Sequence, residues 1–331
     1  MKSNRVFVTA AVALVFIAAT HAQPSAIQQL QNSQQRMQMP QPDLRVGTNA
    51  PELYQGENSD IGPQRILRVG PKAKTPRPDY FDAQIDSQIF YSDNANFSSA
   101  GNRIGTWVFV NTAQASFAPD PMNLGSGKFA PAIGYSSQWY NYSSGQMKPL
   151  DFNAQTAYAS LRYLLGDWQF SVGGNFTRLL NQGGYEETYR EWLPNASVQR
   201  ALALNDSMAF VLGDAVGYHF SEVPDFAAVR KDINDHFDNT LYATFNWQVT
   251  GHLIVQPFYR FQYSIYKNNT IADSRRSDYL NAAGLTVLYN LNQYATLRAF
   301  FSYTTKTSDD MFTPAYDELN GGIGATLDVR F

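Results

Sequence analysis

The chain has no cysteine in its 331 residues, which excludes disulfides and thiolate metal sites. After residue 22 it has no long unbroken apolar run, so no membrane-spanning helix is expected. Charge is sparse, with 16% Asp, Glu, Lys and Arg, and histidine is rarer still, at four residues. No G-x-S-x-G occurs. One apolar run does exist, Val6 to Ala19, preceded by Lys2 and Arg5 and followed by the small-residue site Thr20-His21-Ala22. It is too short to span a bilayer comfortably and reads as a signal peptide over residues 1–22, with Gln23 as the first mature residue. Its removal takes the basic count from 25 to 23 against 28 acidic residues, a net charge of −5. A mildly acidic exported chain is a poor partner for nucleic acid, and none is expected.

Aromatic residues are abundant, at 14% (20 Tyr, 22 Phe, 5 Trp). Proline is unevenly spread, with eight of the 16 before residue 80, and Gln23 to Gln41 holds eight glutamines. Residues 23–79 cannot bury enough apolar surface to order themselves alone, and are expected to be largely disordered. They read either as a tether or as a partial plug in one mouth of the C-terminal domain.

From residue 80 onward the chain is strands and turns. Twelve strands are expected, at about 81–92, 104–116, 130–142, 152–165, 167–180, 190–204, 207–220, 239–249, 252–266, 279–290, 293–305 and 319–331. Period-two alternation carries the assignment. In 295–305 one face holds Ala295, Leu297, Ala299, Phe301 and Tyr303, and the other holds Thr296, Arg298, Ser302 and Thr304. Pro257 lacks a ladder donor, so a bulge or weak point is expected there. Short links alternate with long polar ones, apart from 117–129, which is long where a short turn is due.

The last nine residues alternate cleanly. Ile323, Ala325, Leu327, Val329 and Phe331 share one face, and Gly322, Gly324, Thr326, Asp328 and Arg330 the other. This resembles the closing strand of Gram-negative outer-membrane β-barrels. The resemblance implies that Phe331 is part of an assembly signal read by the barrel-assembly machinery. A mean hydropathy of −0.34 is compatible with such a barrel, because only every second strand residue faces lipid. The expected fold is therefore all-β: a transmembrane antiparallel up-and-down barrel of about 12 strands over residues 80–331, in contact with outer-membrane lipids. An even count places both ends of the barrel, and the segment before it, on the periplasmic side. Trp107, Trp139, Trp168, Trp192 and Trp247 fall near strand ends and are expected to form the interfacial aromatic girdle.

Positions opposite the apolar face should line the lumen: Arg162, Arg260, Arg298 and Arg330, with Asp328 as acidic counterpart. Arg260 and Arg298 are expected to project from the middle and upper barrel. Tyr158, Tyr242, Phe258, Tyr266 and Phe300 also point inward by parity and should narrow the bore. Arg200 and Asp214 fall on the apolar face of strands six and seven, which reads as a bulge, a register error or a contact between protomers of a homo-oligomer. His236 with Asp232, Asp235 and Asp238, together with Asp309-Asp310 and Asp317-Glu318, reads as solvated loop charge. No cofactor, metal or catalytic residue is expected. The functional expectation is a narrow porin-like channel with preference for a small anionic solute. The alternatives are a closed barrel acting through its outer loops and, more distantly, a hydrolase at the barrel rim.

Overall fold

The computed structural model describes residues 80–223, 232, 234–267, 276–292, 294–310, 313 and 315–330, with the side chain of Arg330 excepted. Two short paired segments, Pro42–Asp43 and Glu52–Leu53, complete the described backbone. The signal peptide, the tether-or-plug segment as a whole and Phe331 lie outside the described residues.

Twelve strands form the barrel. They are β1 (Phe81–Ser92), β2 (Thr106–Phe117), β3 (Gly127–Tyr142), β4 (Phe152–Leu165), β5 (Trp168–Asn181), β6 (Glu187–Asn205), β7 (Met208–Glu222), β8 (His236–Gln248), β9 (Leu253–Tyr266), β10 (Ser277–Asn290), β11 (Ala295–Ser308) and β12 (Tyr316–Arg330). Each pairs antiparallel with its sequence neighbours, and β12 pairs with β1 from Asn320↔Ser92 to Arg330↔Asp82, which closes the sheet. Closure gives each of the twelve strands a partner on both sides. The twelve expected strands are all present, with ends displaced by a few residues.

Alternation sets the two faces. Large apolar side chains are exposed on the outside of all twelve strands, as with Ile85, Ile133, Leu212, Leu241, Leu285, Phe301 and Ile323. The inside is polar: β1, for example, turns Asp82, Gln84, Asp86, Gln88 and Ser92 inward, all buried. An apolar exterior around a polar interior is the inverse of a soluble barrel and makes this a transmembrane barrel. Among the described residues no helix is long and apolar enough to cross a membrane.

The two ends differ in their connections. At one end the links are tight. Leu165 pairs with Trp168 across a two-residue turn, where Gly166 takes φ 56, a left-handed conformation that costs glycine little. The long 117–129 link belongs to this end: Met122–Leu124 pairs back on Gly127–Phe129, so it is a small hairpin extending β3. The other end carries the longer connections.

Pro257 marks a weak point without a bulge. The β8–β9 ladder runs Thr244↔Phe258, then resumes at Trp247↔Val255 in the same register, with no pair at Pro257. Its β10 side is intact, pairing with Leu285. The missing N–H therefore opens only one ladder.

Strands β6 and β7 keep the expected faces, and their outward charges find partners. Arg200 is exposed near the tight-turn end, 3.9 Å from Asp167 and 5.3 Å above the Trp168 ring. There its chain lies along the wall while its head reaches the interface. Asp214, in mid-strand, accepts a hydrogen bond from Asn239 Nδ2 at 2.8 Å. A bulge is also present, but beyond both charges, where Met208↔Asn205 shifts to Ala209↔Ala203 and leaves Leu204 unmatched.

Candidate functional site

The lumen carries the chemistry of this fold. Arg162, Arg260, Arg298 and Asp328 all face inward and are buried. The backbone of Arg330 pairs with Asp82, and its side chain lies outside the described residues. All five tryptophans are outward and between 36% and 53% exposed.

Arg298 is lower in the barrel than expected, only three residues from the tight-turn end of β11. It is also paired. Its guanidinium lies 3.1 and 3.2 Å from the two oxygens of Asp86, which accepts a further hydrogen bond from Thr326. The guanidinium reaches Asp86 across Gly324 of β12, where a Cβ would stand 3.0 Å from it. Nor is Asp328 the main acidic lining. Asp82, Asp86, Glu191, Asp238, Asp278 and Glu318 also point inward and are buried. The reading of an arginine-lined path is corrected to a lining of mixed charge.

Three of the five inward rings expected to narrow the bore lie against the wall instead. Tyr158 is paired across from Gly134, Tyr242 from Gly213 and Phe258 from Gly284. In each case the ring occupies the space that a glycine Cβ would need. The aromatic side chains thus lie along the wall over their partner glycines instead of projecting to the axis.

A second group sits at the long-loop end, and sequence reading placed part of it wrongly in loops. Strand β8 begins at His236, so His236 and Asp238 share its inward face and are buried. Glu318 is likewise inside a strand and fully buried, accepting a hydrogen bond from Ser92 at 2.7 Å. Asp317 behaves otherwise, pairing with Arg103 of an outer link.

Cross-strand register assembles the group. His219 is directly opposite His236, and their rings stack at 4.0 Å and 7°. Glu191 is opposite Ser221 and therefore diagonal to His219, within reach of a long side chain. His219 Nδ1 lies 2.8 Å from Glu191 Oε2, and His219 Nε2 lies 3.1 Å from Asp238 Oδ2. Tyr189 donates to the same Glu191 oxygen at 2.6 Å, and Gln262 Nε2 donates to Asp238 Oδ2 at 2.6 Å. Tyr266 stacks on the far side of His236 at 4.6 Å, and Arg276 lies over Tyr266 at 3.9 Å. Arg276 bonds Asp278 at 3.0 Å through Nε, and Lys306 Nζ lies 2.7 Å from the same carboxylate. One charged layer thus runs from β6 to β11.

Just above it, Ser221 is held by Asp235, whose other oxygen is 3.6 Å from the exposed ammonium of Lys267. A hydrogen bond to Asp232, with Asp235 nearby, keeps that ammonium above the ordinary lysine range. Both nitrogens of His219 face carboxylates, so it presents neither to a hydroxyl nucleophile.

No protein-family model matches the chain, and no curated protein matches its sequence. Several solved structures are similar. An outer-membrane channel from Pseudomonas putida F1 shares 9% identity over 78% of this chain and 99% of that one, with a TM-score of 0.47. The translocator domain of the autotransporter NalP from Neisseria meningitidis shares 11% over 75% and 88%, with a TM-score of 0.40. The NanC porin shares 9% over 73% and 98%, also at 0.40. The closed twelve-strand sheet with its apolar exterior and polar interior is a transmembrane β-barrel.

Proposed function

We propose that the barrel is a narrow channel for small hydrophilic solutes, non-enzymatic, with residues 23–79 and the tight turns on the periplasmic side. The observation that carries this reading is the lining. Inward polar groups follow one another from Asp82, Asp328 and Arg162 near the tight-turn end, through Asp86, Arg298, Gln256 and Arg260, to Glu318 and Asp278 at the other. A barrel needing only a plugged interior could fill it with apolar side chains at less desolvation cost. Within this reading, anion preference would draw on the inward guanidiniums of Arg162, Arg260 and Arg298, the last paired with Asp86.

A closed barrel acting through its long outer connections is the second reading. It is favoured by how thoroughly the lining is shielded: Gln256 and Glu318 are at 0% exposure and Arg162 at 1%. Planar-bilayer recording separates the two. Discrete conductance steps from the purified protein support the channel, and a silent bilayer with demonstrably folded protein supports the closed barrel.

A further inference from the structure

We propose that His219, His236 and Asp238 form a binding site for one divalent transition-metal ion, with Glu191 orienting His219. The argument begins with the ring nitrogens. Each histidine has Nδ1 against an acceptor: Glu191 Oε2 at 2.8 Å for His219, and the Asn234 carbonyl at 2.6 Å for His236. A carbonyl only accepts, so His236 carries its proton on Nδ1. The Glu191 oxygen already accepts from Tyr189, which gives His219 the same tautomer. Both Nε2 atoms then aim at Asp238, at 3.1 Å from Oδ2 and 3.3 Å from Oδ1.

With that tautomer on both rings, two imidazole lone pairs and one carboxylate gather around one point, which is a donor set for a cation. One divalent ion satisfies all three groups together, and its charge balances Asp238 and Glu191. One ligand atom from each residue lies within 4.8 Å of the others. Metal–ligand distances of about 2.0–2.2 Å put ligand atoms about 3.4 Å apart, so the set must close by up to about an ångström and the stacked rings must tilt toward each other.

The surroundings match a metal centre as well. A ligating histidine typically donates its other N–H to a carboxylate or a carbonyl, and here one does each. Asp238 is steadied by Gln262. Two imidazoles and a carboxylate suit Zn²⁺, Co²⁺, Ni²⁺ or Cu²⁺, whereas Mg²⁺ and Ca²⁺ prefer all-oxygen sites. A remaining position is left for water.

The test uses the full-length mature protein, refolded without a histidine tag. Zn²⁺ is titrated calorimetrically, and Co²⁺ by its visible spectrum. The expected result is one ion per chain, with protons released to buffer in proportion to ring protonation. His219→Gln and His236→Gln should each weaken binding at least about 10-fold, and Glu191→Gln about 10- to 100-fold at unchanged stoichiometry. His252→Gln, at the opposite end of the barrel, should bind as the parent does. Should a variant fail to fold, the parent protein still decides the matter, since a ligand of the folded state raises its thermal midpoint with Zn²⁺ concentration. No saturable binding, no such rise, or equal loss on replacing His252 would overturn the site.

Discussion

Arg298 and Asp86 are 212 residues apart in sequence and meet inside the barrel wall, with guanidinium–carboxylate distances of 3.1 and 3.2 Å. The pair skips a strand: β11 reaches β1 over β12, passing where Gly324 has no side chain. It therefore ties the last two strands to the first at the point where the sheet closes.

Breaking this pair should be costly and non-additive. Removing one member of a buried ion pair leaves an unanswered charge, at a cost of about 3–5 kcal/mol. Arg298→Gln and Asp86→Asn should each lower the denaturant midpoint of the refolded barrel accordingly, and the double variant should lose less than the two together. Gly324→Val should imitate Arg298→Gln by blocking the guanidinium. Additive losses in the double variant would show that the two groups act separately.

Selectivity should respond unequally to the arginines. Arg260→Gln removes a lining charge and should move the reversal potential toward cations. Arg298→Gln removes the same single positive charge, but near the tight-turn end instead of mid-barrel, so its shift should have the same direction and be smaller. The measurement belongs at low salt, where about 10 Å of screening length at 0.1 M lengthens and charge effects grow. An unchanged reversal potential in both variants would mean that neither residue borders the conducting path.

The ring–glycine pairs should resist even one methyl group. Gly213→Ala would thrust a Cβ into Tyr242, whose hydroxyl is fixed to Gln199 at 2.8 Å. Overpacking of this kind costs about 1–3 kcal/mol. Adding Tyr242→Ala should relieve part of the loss in the same unfolding assay. A Gly213→Ala barrel as stable as the parent would rule out the close seating of the ring.

Sidedness is accessible to labelling, since the chain has no cysteine of its own. Cysteine at Gly145 or Asp310 should react with an impermeant reagent on intact cells, and cysteine at Asp206 or Asn292 should not. Reaction at all four would cancel the proposed orientation. In the same expression system, deleting Phe331 should reduce the folded, heat-modifiable fraction if the terminal aromatic is read during assembly, and unchanged assembly would remove that role.

The twelve strands and their two faces were determined by the sequence alone. Alternation is a local property, and the apolar positions must point one way wherever a strand lies. It also fixed that Arg162, Arg260, Arg298 and Asp328 point inward, and that Arg200 and Asp214 point outward. The inward parity of Asp82 and Asp86 was equally legible in β1, where the polar residues alternate through Asp82, Gln84, Asp86 and Gln88. What remained hidden was who meets whom. The Arg298–Asp86 pair depends on closure of β12 onto β1, and the Tyr158 ring on its register opposite Gly134. The Glu191, His219, His236 and Asp238 group comes from three strands, joined by one tight turn and one long connection. Its clearest local trace, His236 two residues before Asp238, was obscured because polar residues on either side of a strand's first turn look like loop. Only tertiary structure decided these contacts, because an antiparallel register is set by the turns and by the whole closed ring, and shifting one strand by a single residue would exchange every partner.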